Sequence, residues 1–140
     1  QNFEEIQRAP YIIRLLLAEL DGDGHPHFFR VNYDGHWETF KSGTVISGSE
    51  KVMDEVQKKI QDTPFATFPL DKALEETCRL WDESRKQDEG EDDKDVPKTL
   101  KEAFEQWYLE AAVLSGKVER RAIYRMLTEE EIGKLKSSVG

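Results

Sequence analysis

The sequence predicts an α+β fold, an antiparallel sheet carrying a helical layer, and three observations point to it. An apolar run, Tyr11 to Leu20, ends in the turn chemistry of Asp21-Gly22-Asp23-Gly24. Two aromatic stretches then flank Asp34-Gly35, a hairpin signal. Beyond Ser47 the apolar residues recur at helical instead of alternating spacing.

Tyr11 to Leu20 is nearly all apolar, as expected of a strand covered on both faces; a short buried helix is the other reading of such a run. From His27 to Phe40, the residues Phe28, Val31, Tyr33, Trp37 and Phe40 are strand formers, and Asp34-Gly35 between them fits a two-residue loop in which both positions take positive φ. A helix is predicted from near Ser47, where Ser47 and Glu50 have capping-box spacing and Val52, Met53, Val56 and Ile60 line one face. Pro64 and Pro69 punctuate a linker packed down by Phe65 and Phe68. A second helix carries Leu70, Ala73, Leu74, Thr77, Cys78 and Trp81.

Residues 82–98, DESRKQDEGEDDKDVPK, contain almost no apolar side chain and cannot offset their ordering entropy by burial, so they read as an exposed loop or a solvated helix extension. Such an acidic insert could also serve a basic partner. A third helix is expected to carry Leu100, Phe104, Trp107, Tyr108 and Ala111 and to end near Ser115-Gly116. Lys117 to Leu127 then reads as one strand, with Val118, Ala122, Tyr124 and Met126 on one face and Glu119, Arg121 and Arg125 on the other. Its arginines suggest an edge or a polar contact face. Thr128 and Glu131 form a second capping box opening a helix with Ile132 and Leu135.

Composition narrows the function classes. At 140 residues the chain is expected to form one domain, 1–140, with the acidic insert at about 82–98. A net charge of −9 and the lack of a basic stripe argue against a nucleic-acid partner. No apolar run approaches the roughly 20 residues of a membrane span. The single cysteine, Cys78, excludes an internal disulfide framework and a cysteine-based zinc site, and its place on an apolar stripe makes it a core thiol. The start lacks signal-peptide character and an initiating Met, which suggests a fragment, a processed chain or a trimmed one.

Few residues suggest chemistry. His25-Pro26-His27 with Asp21 and Asp23 is the one group of metal-ligand types, but an EF-hand fails: Pro26 stands at position six and Asn32 at position twelve. A two-histidine metal site or an ordinary polar hairpin tip are the remaining readings. A triad from Ser47, His36 and an acid is compatible with composition, yet no G-x-S-x-G elbow is present and Ser47 reads more simply as a helix cap. No phosphate loop or dinucleotide fingerprint occurs. No cofactor and no metal are expected.

Several strings, in order, resemble the C-terminal half of 20S proteasome subunits of the Ntn-hydrolase fold. They are Pro10-Tyr11 through Leu15-Leu16-Leu17-Ala18, then Asp21, then His27-Phe28-Phe29-Arg30-Val31-Asn32-Tyr33-Asp34-Gly35. Val45-Ile46-Ser47-Gly48-Ser49 is similar to the turn before the family's third helix, Leu70 to Leu80 to the helix that follows, and Leu127 to Ile132 to its closing segment. The opening looks closest to a non-catalytic β-type subunit. The resemblance implies half of an αββα sandwich, a place in a cytoplasmic or nuclear protein-degradation complex, and partners that are proteasome-like subunits or further copies of the chain. The family's nucleophile is an N-terminal threonine aided by an aspartate and a lysine in the first half of the fold; here position 1 is Gln1. Ile46 replaces the first glycine of the turn motif, and in the Asp-x-x-Ser-Gly-Gly motif Ala112 and Lys117 replace the aspartate and the second glycine. Of the accessory catalytic residues, Ser47 and Ser115 carry over, which implies a structural subunit without peptidase activity. A small acidic α+β protein-binding module is the alternative.

Overall fold

The computed structural model describes residues 13–87, 96–118 and 121–140. The elements run β1 (Leu15–Leu20), β2 (Pro26–Val31), β3 (Trp37–Phe40), α1 (Glu50–Asp62), a 3-10 turn (Phe65–Thr67), α2 (Leu70–Gln87), α3 (Leu100–Gln106), β4 (Ala112–Val118), β5 (Arg121–Met126) and α4 (Glu129–Val139). The chain is α+β, with its strands in two small antiparallel sheets, β1-β2-β3 and β4-β5.

Both turns of the first sheet are built alike. Asp21 N–H donates to His25 O (3.0 Å) and Gly24 N–H to Asp21 O (2.9 Å); Asn32 N–H donates to His36 O (2.8 Å) and Gly35 N–H to Asn32 O (3.0 Å). Each is a three-residue loop closing on a glycine of positive φ, 83° at Gly24 and 82° at Gly35, where a Cβ would be strained. The hairpin expected at Asp34-Gly35 is present, but its loop is Tyr33-Asp34-Gly35, one residue longer than expected.

The first strand corrects an expectation. Tyr11 lies outside the described residues, and among the described residues β1 is hydrogen-bonded to β2 alone, at the edge of its sheet. Leu15, Leu16 and Leu17 are 48%, 42% and 52% exposed, so the strand is not covered on both faces. The helices pack toward one side of the three-stranded layer; on the other, Leu15, Leu17 and Trp37 stand about half exposed or more.

Ser49, not Ser47, caps α1; its hydroxyl accepts from Val52 N–H at 3.4 Å. The Ser47–Glu50 box does not form because each side chain has another partner. Glu50 pairs with Arg14 (3.2 Å), and Ser47 Oγ accepts from Ser49 N–H (3.3 Å). Val52, Met53, Val56 and Ile60 are buried as their spacing predicts. With Leu80 of α2 and the flanking Val45 and Phe65, three of them, Val52, Val56 and Ile60, make one apolar cluster. Buried Gln57 accepts from Thr44 Oγ1 (2.8 Å) and donates to Gly43 O (3.0 Å), tying the β3–α1 connection to the helix.

Helix α2 runs through Gln87 and so takes in the start of the acidic segment. Asp82 and Lys86 pair one turn apart (2.6 Å), and Asp82 also accepts from Leu100 N–H (2.8 Å) at the start of α3. Pro97, at the other end, is fully buried. The first flank of 82–98, through Gln87, thus takes the helix-extension reading, and its last flank is tied in at Pro97; its centre, 88–95, lies outside the described residues. A second cluster joins Cys78 of α2, Leu100 of α3 and Leu135 of α4, with Leu74, Trp81, Phe104, Leu109 and Val139 around it.

The third helix stops at Gln106, with Trp107 as an extended C-cap and Tyr108 fully exposed, so neither aromatic continues the helical stripe. Ser115-Gly116 lies inside β4 and not at a helix end, and the expected single strand is a β4–β5 hairpin with an irregular register between Ser115 and Val118. Glu119 and Arg120 lie outside the described residues. The capping box at Thr128 and Glu131 is present in full.

Candidate functional site

Side chains alternate across a strand, and directly opposed residues of an antiparallel pair share a face. The register therefore sorts the first sheet into two sides. Leu16, Arg30 and Glu38 lie in one row, Ala18, Phe28 and Phe40 in the next. This is the helix side: Arg30 is 5% exposed, donates to Val45 O (3.4 Å), and meets Glu38 Oε2 through Nη2 (2.7 Å) and Nε (3.2 Å). Its guanidinium also sits 5.1 Å from the Phe40 ring centroid.

The opposite side holds Leu15, Leu17, Phe29, Val31 and Trp37. Phe29 and Trp37 touch diagonally, with ring centroids 6.5 Å apart. Trp37 is 62% exposed. The helix side thus carries one ion pair among the apolar Leu16, Ala18, Phe28 and Phe40, and the outward side carries an apolar row beside Thr39. Exposed apolar surface of this extent on one sheet face is the usual mark of a contact surface.

A second feature sits at the β1–β2 turn. Asp21 Oδ1 accepts from Asp23 N–H and His25 N–H, both at 2.9 Å. Its Oδ2 lies 3.1 Å from His27 Nε2 and 3.5 Å from His25 Nδ1. The His25 amide above all, then the His27 ring, hold the Asp21 carboxyl down at about 2. The turn opens on a cleft of about 800 Å³ that also takes in Lys41, Ser42, Asp62 and Phe65. A smaller apolar cavity of about 380 Å³, between Leu16, Phe28, Val56, Ile60 and Leu80, adjoins it through Phe28, Ser42 and Phe65. Lys41 and Asp62 come to the cleft through the packing of α1 on the sheet, which no local sequence signal announces.

The residues carried over from the proteasome resemblance are not brought together by any hydrogen bond. Ser47 lies in the loop before α1; its carbonyl accepts from Arg14 Nη1 (3.0 Å) and its hydroxyl from Ser49 N–H. Ser115 lies in β4 opposite Ile123. Among the described residues neither hydroxyl is hydrogen-bonded to a histidine, a lysine or a carboxylate. His36 is at the β2–β3 turn, where its amide donates to Asp34 Oδ1 (2.9 Å). Cys78 is buried in the second cluster, and burial pushes its thiol up, away from the reactive thiolate. Arg14, the one basic residue in the opening apolar run, is the positional residue that sequence reasoning missed: it joins the start of β1 to the loop before α1 and lies 5.7 Å from the Tyr33 ring.

No helix among the described residues is long and apolar enough to cross a membrane. Compared with protein-family models, curated proteins and solved structures, the chain matches none.

Proposed function

We propose that the chain is a proteasome β-like structural component of a protein-degradation complex, without peptidase activity of its own. On this reading its three-stranded sheet is one layer of a two-sheet sandwich, and the second layer comes from a neighbouring subunit. The observation that carries the proposal is the outward row of Leu15, Leu17, Phe29, Val31 and Trp37 on a sheet whose other side is occupied by helices. Sheets of a sandwich bury such rows against each other at about 10 Å. The resemblance supplies the identity of the partner; the exposed row supplies the need for one. Ser47, engaged by the Arg14 and Ser49 contacts, has the surroundings of a positional residue instead of a nucleophile.

The test is to isolate the tagged chain from its own cells and identify its assembly by native mass spectrometry. The proposal expects stoichiometric proteasome-type subunits and an assembly that loses the chain when Leu17 and Trp37 are replaced by glutamate. Recovery of the chain alone, or peptidase activity abolished by Ser47→Ala, overturns it.

A further inference from the structure

The segment from Asp21 to His27 places a potential metal ligand at every second residue: Asp21, Asp23, His25, His27. The residues between them are Gly22, Gly24 and Pro26, which add no competing side chain. We propose that this turn binds a divalent transition metal of the zinc type, an assignment independent of the structural role proposed above.

The geometry fits. Ligand atoms of Asp21, Asp23 and His25 all lie within 4.8 Å of one another. From Asp21 Oδ2 the separations are 3.1 Å to His27 Nε2 and 3.5 Å to His25 Nδ1. Zinc bound tetrahedrally at about 2.0–2.2 Å holds its ligand atoms roughly 3.3–3.6 Å apart, so the His25 separation falls inside what one ion requires and the His27 separation just short of it. His27 lies against Asp21 and outside the tight group of the other three, so the four-ligand set requires its ring to turn toward Asp23 and His25.

The chemistry fits as well. Two imidazole nitrogens with two carboxylates select zinc and its neighbours over calcium or magnesium, which prefer all-oxygen shells. The Asp21 carboxylate is already oriented by two backbone amides on its other oxygen, the kind of outer contact that holds a ligating carboxylate in place. The β2–β3 turn provides an internal contrast. Asn32 to His36 repeats the backbone geometry of Asp21 to His25, yet it carries asparagine where Asp21 stands and has no second histidine.

The experiment titrates Zn2+ into the untagged full chain by calorimetry and by competition with a chromophoric chelator, with Co2+ as a spectroscopic probe. The expected result is one ion per chain, a tetrahedral Co2+ spectrum, and a loss of affinity of about tenfold or more in His25→Ala and in His27→Ala. His36→Ala, in the matching turn, leaves the affinity unchanged. Circular dichroism of each variant separates loss of ligand from loss of fold. Absence of binding at high micromolar Zn2+, binding indifferent to both histidines, or equal preference for Mg2+ overturns the assignment.

Discussion

Arg125 and Glu131 meet in a two-pronged ion pair, Nη1 to Oε2 and Nη2 to Oε1 both at 2.9 Å, which joins the end of β5 to the first turn of α4. The same carboxylate accepts from Thr128 N–H (2.9 Å), while Thr128 Oγ1 accepts from Glu131 N–H (3.2 Å). One glutamate thus closes a capping box and anchors the second hairpin to the closing helix. Parallel hydrogen bonds of this kind also fix orientation.

The pair makes the fold acid-sensitive in a defined interval. Arg125 chiefly, then the Thr128 amide, hold Glu131 at about 2 against its ordinary 4.5, and Asp21 stands at about 2 against 3.8. Both carboxylates bind protons less readily in the folded chain than in the unfolded one. Their contribution is complete above the ordinary values and is lost as the pH falls toward 2. Urea midpoints measured from pH 6 to pH 2 should fall with pH, and Glu131→Gln should flatten part of that slope. An unchanged slope in the variant contradicts the assignment.

Removing the other half of the box is simpler. Thr128→Ala should cost about 1 kcal/mol in chemical denaturation, and Thr128→Ser a few tenths, because a serine hydroxyl can still accept from N3. Equal losses for the two variants show that the cap is not what Thr128 contributes.

The helical part of this fold is legible in the sequence because its period survives there. Val52, Met53, Val56 and Ile60 are buried where their spacing puts them, and Thr128 with Glu131 caps the closing helix. Leu80 is missed because α2 has two buried faces, one toward α1 and one toward α3 and α4. The sheet is harder to read. Alternation says that two sides of a strand differ, but not which side the helices choose, and here they cover the side with Arg30 and Glu38. The aspartate and histidine spacing is visible in the sequence, whereas Lys41 and Asp62 reach the cleft only through tertiary packing.

The buried side of the sheet gives a further prediction. Glu38→Gln leaves the Arg30 guanidinium at 5% exposure with a weakened partner, and half-exposed Glu38 lets water replace some of the loss. The expected destabilisation is about 1–3 kcal/mol, and Arg30→Met should cost less than Glu38→Leu because it removes the charge itself. The reverse order of the last two contradicts the ion pair as drawn.

Two leucines on opposite sides of the chain's packing should behave differently. Leu80→Ala, in the cluster with Val56 and Ile60, should destabilise by about 2–5 kcal/mol. Leu17→Ser, on the outward row, should leave the unfolding transition nearly unchanged at concentrations where the wild-type chain is monomeric, while raising its solubility. Comparable losses for both place a cover over Leu17 within the chain itself.

The most direct measurement is the oligomeric state of the chain in dilute solution, followed by light scattering and native mass spectrometry across a concentration series. An outward apolar row that serves as a contact layer predicts association of the wild-type chain and a folded monomer for the Leu17→Glu, Trp37→Glu double variant. A wild-type chain that stays a stable, well-folded monomer at every concentration contradicts the account.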